Sequence, residues 1–271
     1  MTSSEKMMAQ VMSQKYRQEY LREVAELVPS DASLVLDAGC GVGAALSLIN
    51  QHTASARVIG FDLSRHMLTH QVPDVALRNV SFIQGFMPEF PFNYGSFDAV
   101  VAVQSLSEVL CFAGEDVFSK TIEEIHSLLR DGGAFVILDH QSPGTDDLDA
   151  NLTSQMLQHL SYFQKQFEYR AFDFEILDDG WIRIAMRDLY DFITKIWSFG
   201  TALEKEEMQE THTPYTGEEF AGILKKHGFV VDLVSGAVPF ESYLRKYKVK
   251  IRPKQPLPDR FLLLKARKQK D

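Results

Sequence analysis

The chain has 271 residues, of which 45% are hydrophobic and 24% charged, with a formal net charge of -9. Nineteen Phe, nine Tyr and two Trp supply material for a core, which excludes a disordered chain, and no apolar run approaches the roughly 18 residues of a membrane helix. Two cysteines, Cys40 and Cys111, exclude a disulfide scaffold and a four-cysteine zinc site, and net acidity argues against a general nucleic-acid binder.

The start, MTSSEKMMAQVMSQKY, lacks an apolar stretch followed by a small-residue cleavage site, so a cytoplasmic location is expected. Residues 5–27 read as an amphipathic helix, with Met8, Val11, Met12, Tyr16, Tyr20, Val24 and Leu27 at spacings of three and four, ended by Pro29-Ser30-Asp31. Apolar runs then alternate with helical segments: Leu34–Leu36, Val58–Phe61, Val80–Ile83, Ala99–Val103, Ala134–Leu138, Val230–Val234 and Phe261–Leu264. Continuous apolar runs of this kind are strands buried on both faces of a mostly parallel sheet, which predicts a doubly wound α/β fold.

Residues 141–215 break that rhythm and predict an inserted cap. Asp149–Phe167 and Asp188–Glu210 look helical, while Phe172–Leu177 and Trp181–Ala185 flank Asp178-Asp179-Gly180 as a hairpin. Thr216–His227 reads as the last crossover helix. The cap aromatics, among them Tyr162, Phe163, Tyr190 and Trp197, either form its own core or line an acceptor pocket. Residues 245–271 carry 11 of the 28 Lys/Arg and 2 of the 37 acids, a basic tail on an acidic chain. It reads either as a solvated face or as an anion-binding edge.

The strongest motif is Val35-Leu36-Asp37-Ala38-Gly39-Cys40-Gly41-Val42-Gly43, a strand entering a glycine loop before a helix at about Ala44. Gly39, Gly41 and Ala44 also satisfy the loose dinucleotide pattern, and Asp62, ending the second strand, suits an adenosine ribose in either case. Asp37 separates the two, because a carboxylate there would repel a pyrophosphate and attract an ammonium group. Phe82-Ile83-Gln84-Gly85, Phe97-Asp98-Ala99-Val100-Val101 and Leu128-Leu129-Arg130-Asp131-Gly132-Gly133-Ala134 follow in order as a third strand, a fourth strand, and a helix, turn and fifth strand.

With these motifs the sequence resembles the class I S-adenosylmethionine-dependent methyltransferases, over residues 33–140 and more loosely 216–267. The resemblance implies a seven-stranded sheet in the order 3-2-1-4-5-7-6 with strand 7 antiparallel. It implies a lid helix (1–30), a cofactor-binding core (31–140 and 216–271) and the inserted cap (141–215). It also implies a cofactor site: Asp37, Gly39, Gly41 and Gln104 around the methionine portion, Asp62 on the ribose, Leu63, Phe86 and Met87 around the adenine, and Ala38, Met67 and Gly85 as further cofactor contacts. Phe86 departs from the family, which often has an acid there to reach the adenine amino group. Phe86 cannot accept a hydrogen bond, and either packs near adenine or fills core. Asp98 is read as structural.

Methyl transfer from a sulfonium needs alignment and exclusion of water, and a base only when the acceptor must lose a proton. His140, after strand 5, is the first candidate base, with His212 second and Glu108, after strand 4, third; each histidine reads equally as a hydrogen-bonded structural group. Arg187, Tyr215 and Arg245 are candidate substrate contacts. His66 and His70 stand four apart without a third ligand, read as a surface pair, and no metal is expected. The expected function is methyl transfer to a small-molecule acceptor, anionic or aromatic. The alternatives are an RNA or protein methyltransferase, with the basic tail in support, and a cofactor-binding module without catalysis. No membrane partner is expected.

Overall fold

The computed structural model describes residues 18–53, 55–69, 79–177, 180–252 and 257–270. The expected helical residues 5–17, with His70, Asp178 and Asp179, lie outside this set. The chain divides into two compact units: residues 1–139, 219–235 and 262–271, and residues 140–218 and 236–261.

The first unit is built on the apolar runs. β1 (Leu34–Ala38), β2 (Arg57–Asp62), β3 (Val80–Gln84), β4 (Phe97–Val103), β5 (Leu129–His140), β9 (Phe229–Ala237) and β11 (Phe261–Lys268) form a sheet ordered β3-β2-β1-β4-β5-β11-β9. Counted within the sheet, this is the expected order 3-2-1-4-5-7-6. β1 pairs in parallel with β2 and β4, β2 with β3, and β4 with β5. The sheet is sealed on both faces: Val35, Leu36, Phe61, Val100, Val101 and Phe135 are inaccessible to solvent. α5 (Glu115–Leu128) contributes Phe118, Ile122, Ile125 and Leu128, spaced three and four apart on its buried face.

Asp98 ties the sheet together. Its carboxylate accepts the Ser33 and Leu34 amides at 2.6 and 2.8 Å and pairs with Arg130 at 2.7 Å. The turn expected at Arg130–Gly133 is absorbed into β5. Its pairing with β4 steps from Phe97↔Leu129 to Ala99↔Ala134, so the extra residues bulge out of the ladder.

The second unit has its own four-stranded sheet, β10-β6-β8-β7, made of β6 (Asp147–Asn151), β7 (Phe174–Ile176), β8 (Trp181–Ala185) and β10 (Lys250–Arg252). β7 and β8 form the expected hairpin. The expected helix from Asp149 starts later, as α6 (Ser154–Gln166), because Asp149–Asn151 is spent on β6 and the Thr153 side chain caps the Met156 amide. The expected helix from Asp188 breaks into α7 (Met186–Lys195) and α8 (Glu204–Gln209), with Gly200 at φ +71 between them. Residues 236–261, expected with the core, pack in this unit, since β10 pairs antiparallel with β6. Its aromatic core includes Phe163, whose ring meets Phe167, Phe172 and Phe192. Tyr162 and Tyr169 of the same aromatic set are exposed.

Candidate active site

At the end of β1 the backbone turns through Gly39 at φ +79, a conformation that favours glycine. A methyl group added there would stand 2.3 Å from the Ser105 Cβ, so the position is closed to any side chain. Ser105 holds the turn from the other side, its hydroxyl donating to the Ala38 carbonyl at 2.7 Å. The Gly39 amide donates to the Phe61 carbonyl at 2.7 Å. Asp62, at the end of β2, accepts the Gly41 amide at 2.8 Å and the Ser64 amide at 2.7 Å. Three strand ends thereby fix one loop.

Asp37 is the unusual group. It is 1% exposed, and neither carboxylate oxygen has a hydrogen-bond partner among the described residues. Burial, and then the charge of Asp62, push its pKa up to about 7. A buried carboxylate without a partner is costly, and such a group in a folded protein calls for an explanation. Asp37 borders a void of about 20 Å³ that Tyr20, Gly39 and Gln104 also line. Gln104 is held at φ +53, its amide donating to the Leu138 carbonyl at 2.7 Å. Such a left-handed conformation is uncommon for a residue with a side chain and collects at functional sites.

Beside this void lies a cavity of about 520 Å³ in the first unit. Its walls include Gly39, Gly41, Asp62, Leu63, Met67, Gly85, Phe86, Met87 and Gln104, nine of the eleven expected cofactor residues. Asp37 faces the smaller void, and Ala38 contributes its carbonyl to Ser105. Phe86 is 40% exposed at the cavity wall, so it does not fill core. A side chain at Gly85 would strike the Phe61 ring at 2.4 Å.

The remaining wall comes from α4 (Leu106–Ala113), which presents Glu108, Val109 and Phe112. Asp139 starts this helix, its carboxylate accepting the Leu106 and Ser107 amides at 3.0 and 3.1 Å. Ser105, Val109 and Phe112 went unrecognised in the sequence, although with Glu108 they keep a helical spacing of three and four that marks one face.

The other predicted residues lie in the second unit. The His140 and His212 rings stack with centroids 4.0 Å apart, and His140 also meets Phe261. The His212 Nδ1 is 2.9 Å from the Thr194 hydroxyl and its Nε2 is 3.3 Å from Glu210. Burial, with Lys195 and Arg260 nearby, holds its pKa well below the usual histidine value. His212 is thus a neutral, buried, hydrogen-bonded group. Arg187 stands 3.9 Å from Asp188, whose main partner is Arg170. The Tyr215 carbonyl accepts the Ser142 amide at 2.7 Å. Arg245 is exposed near the end of α10 (Glu241–Lys246).

One cluster was invisible in the sequence. Glu207, Glu210 and His212 bring ligand-type atoms within 4.8 Å of one another. A buried ammonium already serves them: the Lys195 Nζ is 3.3 Å from Glu207 and 3.7 Å from Glu210.

Residues 35–133 match the model of a methyltransferase domain family. That segment is thus a methyltransferase domain of the class I S-adenosylmethionine-dependent type. It is 28% identical over 207 residues to a fatty-acid O-methyltransferase of Mycolicibacterium smegmatis, covering 74% of this chain and 72% of that protein. It is 29% identical over 127 residues to a malonyl-[acyl-carrier protein] O-methyltransferase of Herminiimonas arsenicoxydans, covering 42% of this chain and 47% of that one. The match thus spans about half the length of the second relative. A solved S-adenosylmethionine-dependent methyltransferase of Mesorhizobium loti superposes with a TM-score of 0.53 at 20% identity, over 91% of this chain and 96% of the other. Among the described residues, no helix is long and apolar enough to cross a membrane.

Proposed function

We propose that this methyltransferase family member transfers a methyl group from S-adenosylmethionine to a small-molecule acceptor. The observation that carries the reading is the unpartnered buried carboxylate of Asp37 beside a glycine loop and a cavity. An ammonium is the group that would relieve it, and a pyrophosphate would worsen it. Asp37, Gly39, Gly41 and Gln104 would hold the amino-acid end of the cofactor, Asp62 the ribose, and Leu63, Met67, Phe86 and Met87 the adenine. Asp62 keeps acceptor capacity for ribose hydroxyls, since each of its oxygens accepts one backbone amide and has a second lone pair. When bound, the cofactor supplies an electrophilic methyl group on sulfur.

The acceptor would lie against α4. Val109 and Phe112 suit an aromatic or alkyl body, and Glu108 is the candidate base that lines the cavity, which moves it ahead of His140 and His212. Two relatives are named as O-methyltransferases, which supports an oxygen acceptor.

Calorimetric titration with S-adenosylmethionine, S-adenosylhomocysteine and NAD tests this reading, with Asp37→Asn as control. Micromolar binding of the first two, about 10- to 100-fold weaker in the variant and absent for NAD, is expected. Binding of NAD alone overturns it. Cofactor binding with no turnover across an acceptor screen leaves a binding module.

A further inference from the structure

We propose that the short hook formed by α10 and β10 docks the acidic face of a partner protein. Arg245 and Lys246 end α10, and Lys248 and Lys250 follow, four cations within six residues. All four are exposed, and none reaches a carboxylate among the described residues. Lys246 lies over the ring of its neighbour Tyr247.

The hook is a built feature rather than a loose tail. Leu244 and Val249 are buried in the second unit's core. Phe240, just before α10, stacks on Tyr190 with ring centroids 3.4 Å apart. The Val249 amide donates to the Leu244 carbonyl at 2.8 Å, and β10 pairs with β6. Between them Lys248 is held at φ +56, a conformation that disfavours residues with side chains. The backbone is fixed while the four charged heads project from it.

Arg252, two residues further on, shows how this unit treats a cation with a structural task. Its guanidinium pairs with Asp149 at 3.1 Å and lies 4.3 Å over the Trp181 ring. Among the described residues the four hook cations have no such ion pair, and only Lys246 has a ring beneath it. They repel one another, and they reduce the net charge of an acidic chain, so solubility does not account for them. Protection of a sheet edge accounts for Lys250 but not for the three that precede the strand.

The shape of the charge selects the partner. Residues 140–218 of the same unit carry 15 acids against 6 Lys/Arg. Residues 140–218 thus offer few further cations to hold a long polyanion such as RNA. A compact cluster of Asp and Glu on one face of a protein ends where the cations end.

Fluorescence anisotropy with a labelled oligoglutamate peptide tests the docking surface in the full chain. A labelled oligouridylate and phosphatidylglycerol vesicles serve as competing anion classes. The hook variant is Lys246→Glu/Lys248→Glu/Lys250→Glu, and the control is Lys225→Glu/Lys226→Glu, which reverses two exposed lysines in the last turn of α9 (Gly217–Lys226). The expected result is peptide binding that falls about tenfold in the hook variant, stays unchanged in the control and weakens as salt rises. Unchanged S-adenosylhomocysteine binding by the hook variant shows that it is folded. Absence of peptide binding, equal loss in both variants, or tighter binding of the oligouridylate or the vesicles overturns the proposal.

Discussion

The carboxylate of Asp62 accepts the Gly41 amide at 2.8 Å, so an acid at the end of β2 sets the shape of the loop that ends β1. With the ribose contact proposed above Asp62 would have a second task, and replacing it tests both at once. Asp37 makes no such bond, which makes it the cleaner probe.

Asp37→Asn is expected to weaken S-adenosylhomocysteine binding about 10- to 100-fold, the worth of a charged hydrogen bond in a dry site. The same change removes a costly buried charge and should raise the melting temperature of the ligand-free protein. Calorimetry and a thermal scan on one preparation check both. Loss of binding together with loss of stability would assign Asp37 a structural role.

The raised pKa of Asp37 gives a pH dependence with a definite sign. Its proton stabilises the ligand-free fold fully below the ordinary carboxylate value of 3.8, and that contribution is lost as pH rises toward about 7. An ammonium ligand needs the ionised form. Affinity for S-adenosylhomocysteine should therefore rise between about pH 5.5 and 7, with proton release on binding. Titrations in two buffers of different ionisation enthalpy measure that release, and the Asn variant should show none.

Gly39→Ala is expected to abolish cofactor binding and to cost about 1–3 kcal/mol of stability, because φ is +79 and the new methyl group meets Ser105 at 2.3 Å. Chemical denaturation and calorimetry read the two effects. Full retention of affinity would place the ligand elsewhere.

Lys195→Met leaves Glu207 and Glu210 buried without their ammonium. Breaking a buried pair from one side costs about 3–5 kcal/mol. Glu207 already has its pKa pushed up to about 7 by burial, and loss of Lys195 should push it further up. The variant's deficit should therefore shrink as pH falls through 7 and the carboxyl takes up its proton, a trend that urea denaturation at several pH values would follow.

Apolar runs such as Val58–Phe61 and Ala134–Leu138 were legible because a strand buried on both faces leaves a continuous apolar segment in one stretch of sequence. Asp37 was legible for its charge beside a glycine loop, where the choice between ammonium and pyrophosphate is electrostatic. β10 was not legible, since Lys-Ile-Arg is too short and too charged to look like a strand and exists only by pairing with β6. The Lys195, Glu207, Glu210 and His212 cluster was hidden for a related reason. Its members come from α7, α8 and the segment after α8, and no local pattern announces a long-range ion pair. His140 and His212 looked alike as candidate bases, and the burial that separates His212 from that role is a tertiary property.

The start of α4 has a consequence for how such an enzyme could change its acceptor. Ser105 stands at the helix's N-terminal boundary but spends its hydroxyl on Ala38, and the first amides are met by Asp139 from β5. The position of the helix is thus inherited from the sheet rather than encoded in the helix itself. Residues facing the cavity from α4 are not what fixes the wall they stand on, which leaves that wall open to drift in sequence while the glycine loop stays fixed.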